Sequence, residues 1–203
     1  MTAEIKALEK QIWDLHSKLE SLRRDAPPVE VKNYRFKNLE GEVTLLDLLA
    51  GKETLFMIHN MGQGCRYCTL WADGMNPWVT HLEERFAVVL VSKDSPEAQR
   101  KFANSRGWRF RMASHGGGEY LKEQTVSPNP SPESYNFPGM VCYQRLGEKI
   151  FKKNQTIFGP GDDFCSLWHV LSLAGYGEET WTPQYNYWRA PAKLDDGGEN
   201  LLT

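Results

Sequence analysis

The stretch "TLFMIHNMGQGCRYCTLWADG" runs from Thr54 to Gly74. Its opening hexamer is a continuous apolar run of strand length, bounded by Gly62 and Gly64, which predicts a central strand buried on both faces. Cys65 and Cys68 follow at once. From Cys65 the pattern reads as helical to Asp73, with Gly74 as its stop. A C-x-x-C pair serves as a redox dithiol, as half of a zinc site, or as two thiols that share a core, and spacing alone does not separate the three.

The chain downstream supplies context. Asn76 is a good N-cap with Pro77 at the first helical position, so a second helix is predicted through Glu84. "FAVVLVS" (Phe86 to Ser92) reads as another buried strand. "SPEAQRKFANSRG" repeats the start signal, with Ser95 as cap and Gly107 as stop. "WRFRMAS" (Trp108 to Ser114) reads as a third strand with one face solvated. Strand, helix, strand, helix, strand implies a parallel sheet with right-handed crossovers. Ser114 to Pro138 is rich in Gly, Pro, Ser and Asn ("SHGGGEY", "SPNPSP") and is expected to lack regular structure, as a lid would. "GMVCYQRLGEKIFKKN" predicts an antiparallel hairpin turning at Gly147. "GDDFCSLWHVLSLAGYG" predicts a closing helix, capped by Asp162 or Asp163 and stopped by Gly175 or Gly177.

Upstream, "AEIKALEKQIWDLHSKLESLRRDAPP" places Ile5, Leu8, Ile12, Leu15, Leu19 and Leu22 at steps of three and four. This is a heptad seam on a helix that ends at Pro27 and Pro28. Such a seam either lies on its own domain or pairs with a second chain, so a homodimer is one expectation. Trp13 and His16 flank it as packing residues. "VEVKNYRFKNLEGEVTLLDLLAGK" then reads as a short strand or hairpin and a helical turn. Three regions result: an N-terminal amphipathic helix over 1–26, an α/β domain over 27–180, and a tail over 181–203. The tail is aromatic through "WTPQYNYW", which is expected to pack on a surface, and disordered beyond Ala190.

Composition narrows the function classes. The chain has 203 residues, 40% hydrophobic and 25% charged, with a formal net charge of -2. That balance supplies no general field for nucleic acid or an anionic membrane. The local run "RGWRFR" (Arg106 to Arg111) mixes cations with aromatics but also fits an alternating strand. No apolar run approaches the roughly 20 residues of a membrane span, and no basic-then-apolar leader opens the sequence, so a cytoplasmic location is expected. In a reducing compartment a close cysteine pair reads as catalytic or metal-binding. Cys142 and Cys165 sit in apolar surroundings and read as small hydrophobes. With no second close pair to complete a tetrahedral set, the zinc reading is the weaker one, and neither a metal nor a cofactor is expected.

The order of elements, with C-x-x-C at the first helix's start, then a hairpin and a closing helix, resembles the thioredoxin fold. The expected architecture is therefore α/β, a mixed central sheet flanked by helices, with an N-terminal helical extension. "LLDLLAGK" stands where alkyl hydroperoxide reductase and thiol-specific antioxidant proteins carry an L-x-D-L-x-G-K approach. The pattern from "LESLRRDAPPVEVKNYRF" through "GCRYCTLWADG" to "YNYW" looks like a bacterial thioredoxin-like family catalogued as a domain of unknown function. The resemblance implies that Cys65 is the attacking thiol, that Cys68 is the resolving one, and that Pro138 is a cis-proline beside them. His59 stands where thioredoxins bury an acid. The residues between the cysteines are Arg66 and Tyr67 instead of Gly-Pro. The peroxidase Thr, three residues ahead of the reactive Cys, has no counterpart, because Cys65 itself holds that place relative to Cys68. This disfavours the usual peroxiredoxin mechanism.

The chemistry of these residues points the same way. A thiol near pKa ~8.5 is mostly protonated at neutral pH, and helix-start N–H groups favour its anion. Arg66 is expected to add positive charge, and His59, if it lies behind the dithiol, to accept the proton of Cys68. Its alternative is a core histidine, and that reading is stronger still for the isolated His81, His115 and His169. The leading expectation is a thiol-disulfide oxidoreductase acting on a disulfide-bearing protein or small molecule. The rival is a dimeric binding or scaffold protein with a structural or redox-sensing dithiol.

Overall fold

In the computed structural model, residues 2–185 are described. The order is α1 (Ala3–Asp25), β1 (Val29–Val31), β2 (Arg35–Asn38), β3 (Gly41–Thr44), α2 (Leu45–Leu48), β4 (Thr54–His59), α3 (Arg66–Met75), α4 (Val79–Glu83), β5 (Ala87–Ser92), α5 (Pro96–Arg106), β6 (Arg111–Ser114), α6 (Glu119–Glu123), β7 (Gly139–Leu146), β8 (Lys149–Ile157) and α7 (Ser166–Leu173). The strands form one mixed sheet in the order β1-β8-β7-β4-β5-β6-β2-β3. β4, β5 and β6 run parallel, and the hairpin strand β7 pairs antiparallel with β4.

The apolar run at Thr54 becomes the central strand because both of its faces are covered. Leu55 and Met57 pack with Val89, Val91, Val141 and Tyr143 under α2 and Tyr120. Ile58, one residue out of phase, packs with Val88 and Leu90 under Trp71, Ala72 and Met75 of α3 and Trp168 of α7. Period-two alternation thus assigns each side chain of β4 to one core. Fully burying a side chain of this size contributes about 1.5–3 kcal/mol, so the strand's position is strongly specified.

Several boundaries differ from the sequence reading, each for a local reason. α3 runs through Gly74 to Met75, and Asn76 does not cap the next helix. Its amide instead bridges to the end of α5, donating to Gly107 O at 3.1 Å and accepting from Arg109 N at 2.7 Å. The third strand begins only at Arg111, although Trp108 and Phe110 are buried ahead of it. The Ser114 to Pro138 stretch is ordered by polar contacts. It contains α6, and the Ser134 hydroxyl lies 3.1 Å from that of Ser127, takes the Ser131 amide at 2.9 Å and donates to Asn129 O at 2.9 Å. Asp162 accepts from the amides of Phe164 and Cys165, so it prepares α7 from outside the helix. In the tail, Trp181 packs edge-on against Trp168 at 5.6 Å; the expected disorder past Ala190 lies outside the described residues.

Gly139 is where the hairpin meets the central strand, opposite His59 on one side and Ile157 on the other. A Cβ there would stand 2.2 Å from Thr156 O and 2.8 Å from Val126 Cγ2. Neither the backbone oxygen nor the packed valine has room to retreat. Gly139→Ala is expected to lower unfolding free energy by more than about 2 kcal/mol in urea titration.

Candidate active site

After β4 the chain must turn from the C-terminal end of this central strand to the start of α3. Asn60 N donates to Val91 O at 2.9 Å, holding the exit to β5, and Asn60 Oδ1 accepts from Gly62 N at 2.8 Å. Gly62 has φ +110°, and a Cβ there would lie 2.8 Å from Asp94 Oδ2, which itself accepts from Gln63 N at 2.7 Å. Only glycine combines that backbone with so close a carboxylate. The turn closes with Cys65 N donating to Gly62 O at 3.0 Å.

Cys65 is the N-cap of α3. Its backbone is extended (φ -102°, ψ 107°), and its sulfur accepts from Cys68 N at 3.1 Å. A thiol here does the work usually given to Ser, Thr, Asp or Asn, satisfying one of the helix's orphan donors. The carbonyl of Cys65 takes both Thr69 N (3.0 Å) and Thr69 Oγ1 (2.9 Å), which fixes the first turn. Cys68, one turn on, is buried beneath it. Its sulfur accepts from Met61 N at 3.4 Å, and its carbonyl from Asn60 Nδ2 at 3.4 Å. Both cysteines are free thiols.

These surroundings separate the two sulfurs. The thiol of Cys68 donates to Cys65, and together with the backbone N–H groups of Cys68 and Tyr67 it brings the Cys65 pKa down to about 7 against the opposing effect of burial. Cys68 is pushed far up, first by donating that hydrogen bond and then by burial. The more acidic, partly exposed sulfur is therefore the one at position 65. Arg66 takes no part in the shift. Its side chain is exposed, and Nη1 reaches Gln184 Oε1 at 3.5 Å. Tyr67, the other intervening residue, reaches Glu178 Oε1 at 3.4 Å, so the segment after α7 lies across the outside of the dithiol loop.

His59 stands apart from the dithiol. In phase with Met57 and out of phase with Ile58, it faces the core opposite α3, where its Nε2 lies 2.6 Å from Tyr120 Oη. Tyr120 Oη in turn donates to Met57 Sδ at 2.8 Å and lies 3.2 Å from Tyr143 Oη. His59 cannot take a proton from Cys68 across the sheet; Asn60, the next residue, is the one that turns toward Cys68. Pro138 lies just before β7, and its carbonyl accepts from Phe158 N at 2.9 Å. Its neighbour Asn136 donates to Met61 O at 3.4 Å, tying this loop to the residue whose amide meets Cys68. The expected cis bond is not found: among the described residues every peptide bond is trans.

Sequence reasoning passed over Asn60, Met61 and Asp94, which build the turn and its donors. The one local signal for them is the Asn and Gly content of "HNMGQG", which marks the end of the strand and says nothing of the turn beyond it. Cys142 is half-buried in β7 and Cys165 is buried at the start of α7, both with pKa raised by burial. Among the described residues no group of three His, Cys, Asp or Glu is gathered to hold a metal ion, and no helix is long and apolar enough to cross a membrane.

A strand feeding a cysteine to a helix start, within a mixed sheet closed by a hairpin and a final helix, defines a thioredoxin-like protein. Solved structures with this fold include peroxidoxin BcpB from Mycobacterium tuberculosis (TM-score 0.50, 15% identity, covering 73% of this chain and 94% of that one) and AhpC from Enterococcus faecalis (TM-score 0.50, 14% identity, 72% and 90%). The chain belongs to the family described as bacterial protein of unknown function (DUF899), whose model matches residues 2–193. No curated protein matches it.

Two titrations follow from this geometry. Alkylation of Cys65 should reach half its maximal rate near pH 7 while Cys68 stays unreactive in the folded protein; Cys68→Ala removes a donor and should move that midpoint upward. The second concerns His59 and His115, whose folded pKa values burial brings down to about 3 and about 4. An unfolded histidine titrates near ~6.5, so below that pH the unfolded chain binds more protons. Stability should be fully present above pH 6.5 and fall as the solution is acidified toward pH 4. In urea titrations across that window, the slope should exceed that of His59→Asn by close to one proton.

Proposed function

We propose that this protein is a thiol-disulfide oxidoreductase in which Cys65 attacks and Cys68 resolves. The observation that supports it best is the Cys65 sulfur at the cap of α3, acidified and partly exposed, with a protonated Cys68 thiol directed at it. The Cys65 thiolate attacks one sulfur of a substrate disulfide. A Cys65–substrate bond forms, the substrate's S–S bond breaks, and the departing thiolate takes a proton from solvent. Cys68 then gives up its proton and attacks the Cys65 sulfur, releasing the second substrate thiolate and closing a Cys65–Cys68 disulfide. Two electrons have passed to the substrate, and an external dithiol restores the pair. Met61 N–H, already directed at the Cys68 sulfur, stabilises its anion as the proton leaves. Asn136 ties the loop that carries Pro138 to the Met61 carbonyl, which supports a role for that loop as the wall beside the pair, and His59 acts on it only by anchoring the end of β4.

The substrate class is a disulfide-bearing protein or small molecule in the cytoplasm. A solved relative in fold is named a peroxidoxin, but Cys65 replaces the threonine of the peroxidase motif, which favours a disulfide over a peroxide. A scaffold role with a redox-sensing dithiol is the second reading, favoured by the uncovered apolar face of α1.

Trapping distinguishes the two. With Cys68→Ser, incubation with an aromatic disulfide should leave a stable mixed disulfide on Cys65, detected by intact-mass spectrometry. With Cys65→Ser no adduct should form and turnover should fall at least 100-fold. Equal turnover by both variants and the parent would rule the enzyme reading out.

A further inference from the structure

Helix α1 is 23 residues long and buries none of its side chains. A helix draws most of its stability from packing an apolar face, and among the described residues none buries the apolar face of this one. Ile5, Leu8, Ile12, Leu15, Leu19 and Leu22 are each 38% to 64% exposed. Among the described residues, its own domain grips only the C-terminal half. The His16 ring lies 3.6 Å from Asp163, Arg23 is half-buried, and the final carbonyls are held by Asn154 (to Arg23 O, 3.0 Å) and Lys153 (to Arg24 O, 2.8 Å). Residues 2–15 are exposed throughout.

We propose that α1 is a dimerisation element that pairs antiparallel with α1 of a second copy. The three-four-three-four-three spacing is symmetric about the point between Trp13 and Asp14. Reversing the second helix about that point sets Ile5 against Leu22 of the second copy, Leu8 against Leu19, and Ile12 against Leu15. Every layer of the seam is then apolar on both sides.

The flanking charges select the direction. In a parallel pair, Glu4 faces Glu9 and Lys18 faces Arg23 along both flanks, four like-charged contacts in all. In the antiparallel pair Glu9 faces His16 and Gln11 faces Lys18, and only Glu4 against Asp25 is repulsive. Antiparallel pairing also puts the two gripped ends far apart, so each domain lies beside the projecting half of the other's helix. Covering six such side chains removes roughly 600 Å² per copy, or about 1,200 Å² in total, which is the lower edge of specific interfaces. The dimer is accordingly reversible.

Sedimentation equilibrium of the full chain tests this. The mass should rise with concentration from the 23.3 kDa of one chain toward twice that value. Ile12→Glu combined with Leu15→Glu should keep the protein monomeric at every concentration while leaving its far-ultraviolet spectrum and Cys65 alkylation rate unchanged, because both side chains are exposed in the single chain. Asp25→Lys should tighten the dimer several-fold by turning its contact with Glu4 attractive, whereas Glu20→Lys, the same charge change on the outer side, should not. A monomer at high micromolar concentration, or a dimer that survives the double glutamate variant, would overturn the proposal. An Asp25→Lys dimer no tighter than the parent would overturn the antiparallel arrangement.

Discussion

The dithiol end of this fold is organised by one hydrogen bond, from the Cys68 amide to the Cys65 sulfur at 3.1 Å. It is a helix-capping bond and a thiolate-stabilising bond at once. The helix needs an acceptor at that place because its first N–H groups have no partners within the helix. Sulfur is a poor acceptor when protonated and a good one when ionised, so the need of the helix becomes a preference for the anion. The turn from Asn60 to Gly64 exists in this form to bring sulfur there, and Asp94 holds the turn by filling the space beside Gly62 that a side chain would need.

A second constraint is the alternation of β4. His59 and Asn60 are adjacent in sequence, yet the strand's pleat sends them to different sides of the sheet. Asn60 turns to the carbonyl of Cys68, and His59 enters a buried cluster with Tyr120 and Tyr143. That cluster is apolar enough to keep the histidine neutral and satisfied enough to hold it. The same pleat that builds the site therefore excludes the most obvious proton acceptor from it.

Strands, crossovers and hairpin were legible because their signals are local: apolar runs, caps such as Ser95, stops such as Gly107. The cap at Cys65 was legible because spacing and helix start coincide. Other assignments needed distances between residues far apart in the chain. Asn76 carries every mark of an N-cap, but its amide bridges to Gly107 and Arg109, a contact no local pattern encodes. Arg66 is one residue from Cys65 in sequence, while its guanidinium leads away to Gln184, more than a hundred residues on. The Ser127 to Ser134 region has the composition of a disordered loop and is ordered because its hydroxyls bond to one another.

The magnitude of the Cys65 shift, to which the Cys68 thiol contributes first and the capping N–H groups after it, decides what these surroundings do for chemistry. Relative to an ordinary thiol near pKa 9, a value of about 7 raises the thiolate fraction at neutral pH from ~1% to about half, a gain near fifty-fold. Nucleophilicity falls with acidity at a Brønsted slope of ~0.4–0.5, which returns a factor of about eight and leaves attack roughly six-fold faster. The effect on the reduction potential is smaller. At pH 7 half-ionisation stabilises the reduced form by only about RT ln 2, or ~0.4 kcal/mol, which is under ~10 mV for a two-electron couple. In the proposed exchange, the acidified sulfur thus serves rate more than poise. The potential of the pair must be set by what else changes on oxidation, chiefly the loss of a buried S–H donor at Cys68 and of the ionic acceptor that the start of α3 now has.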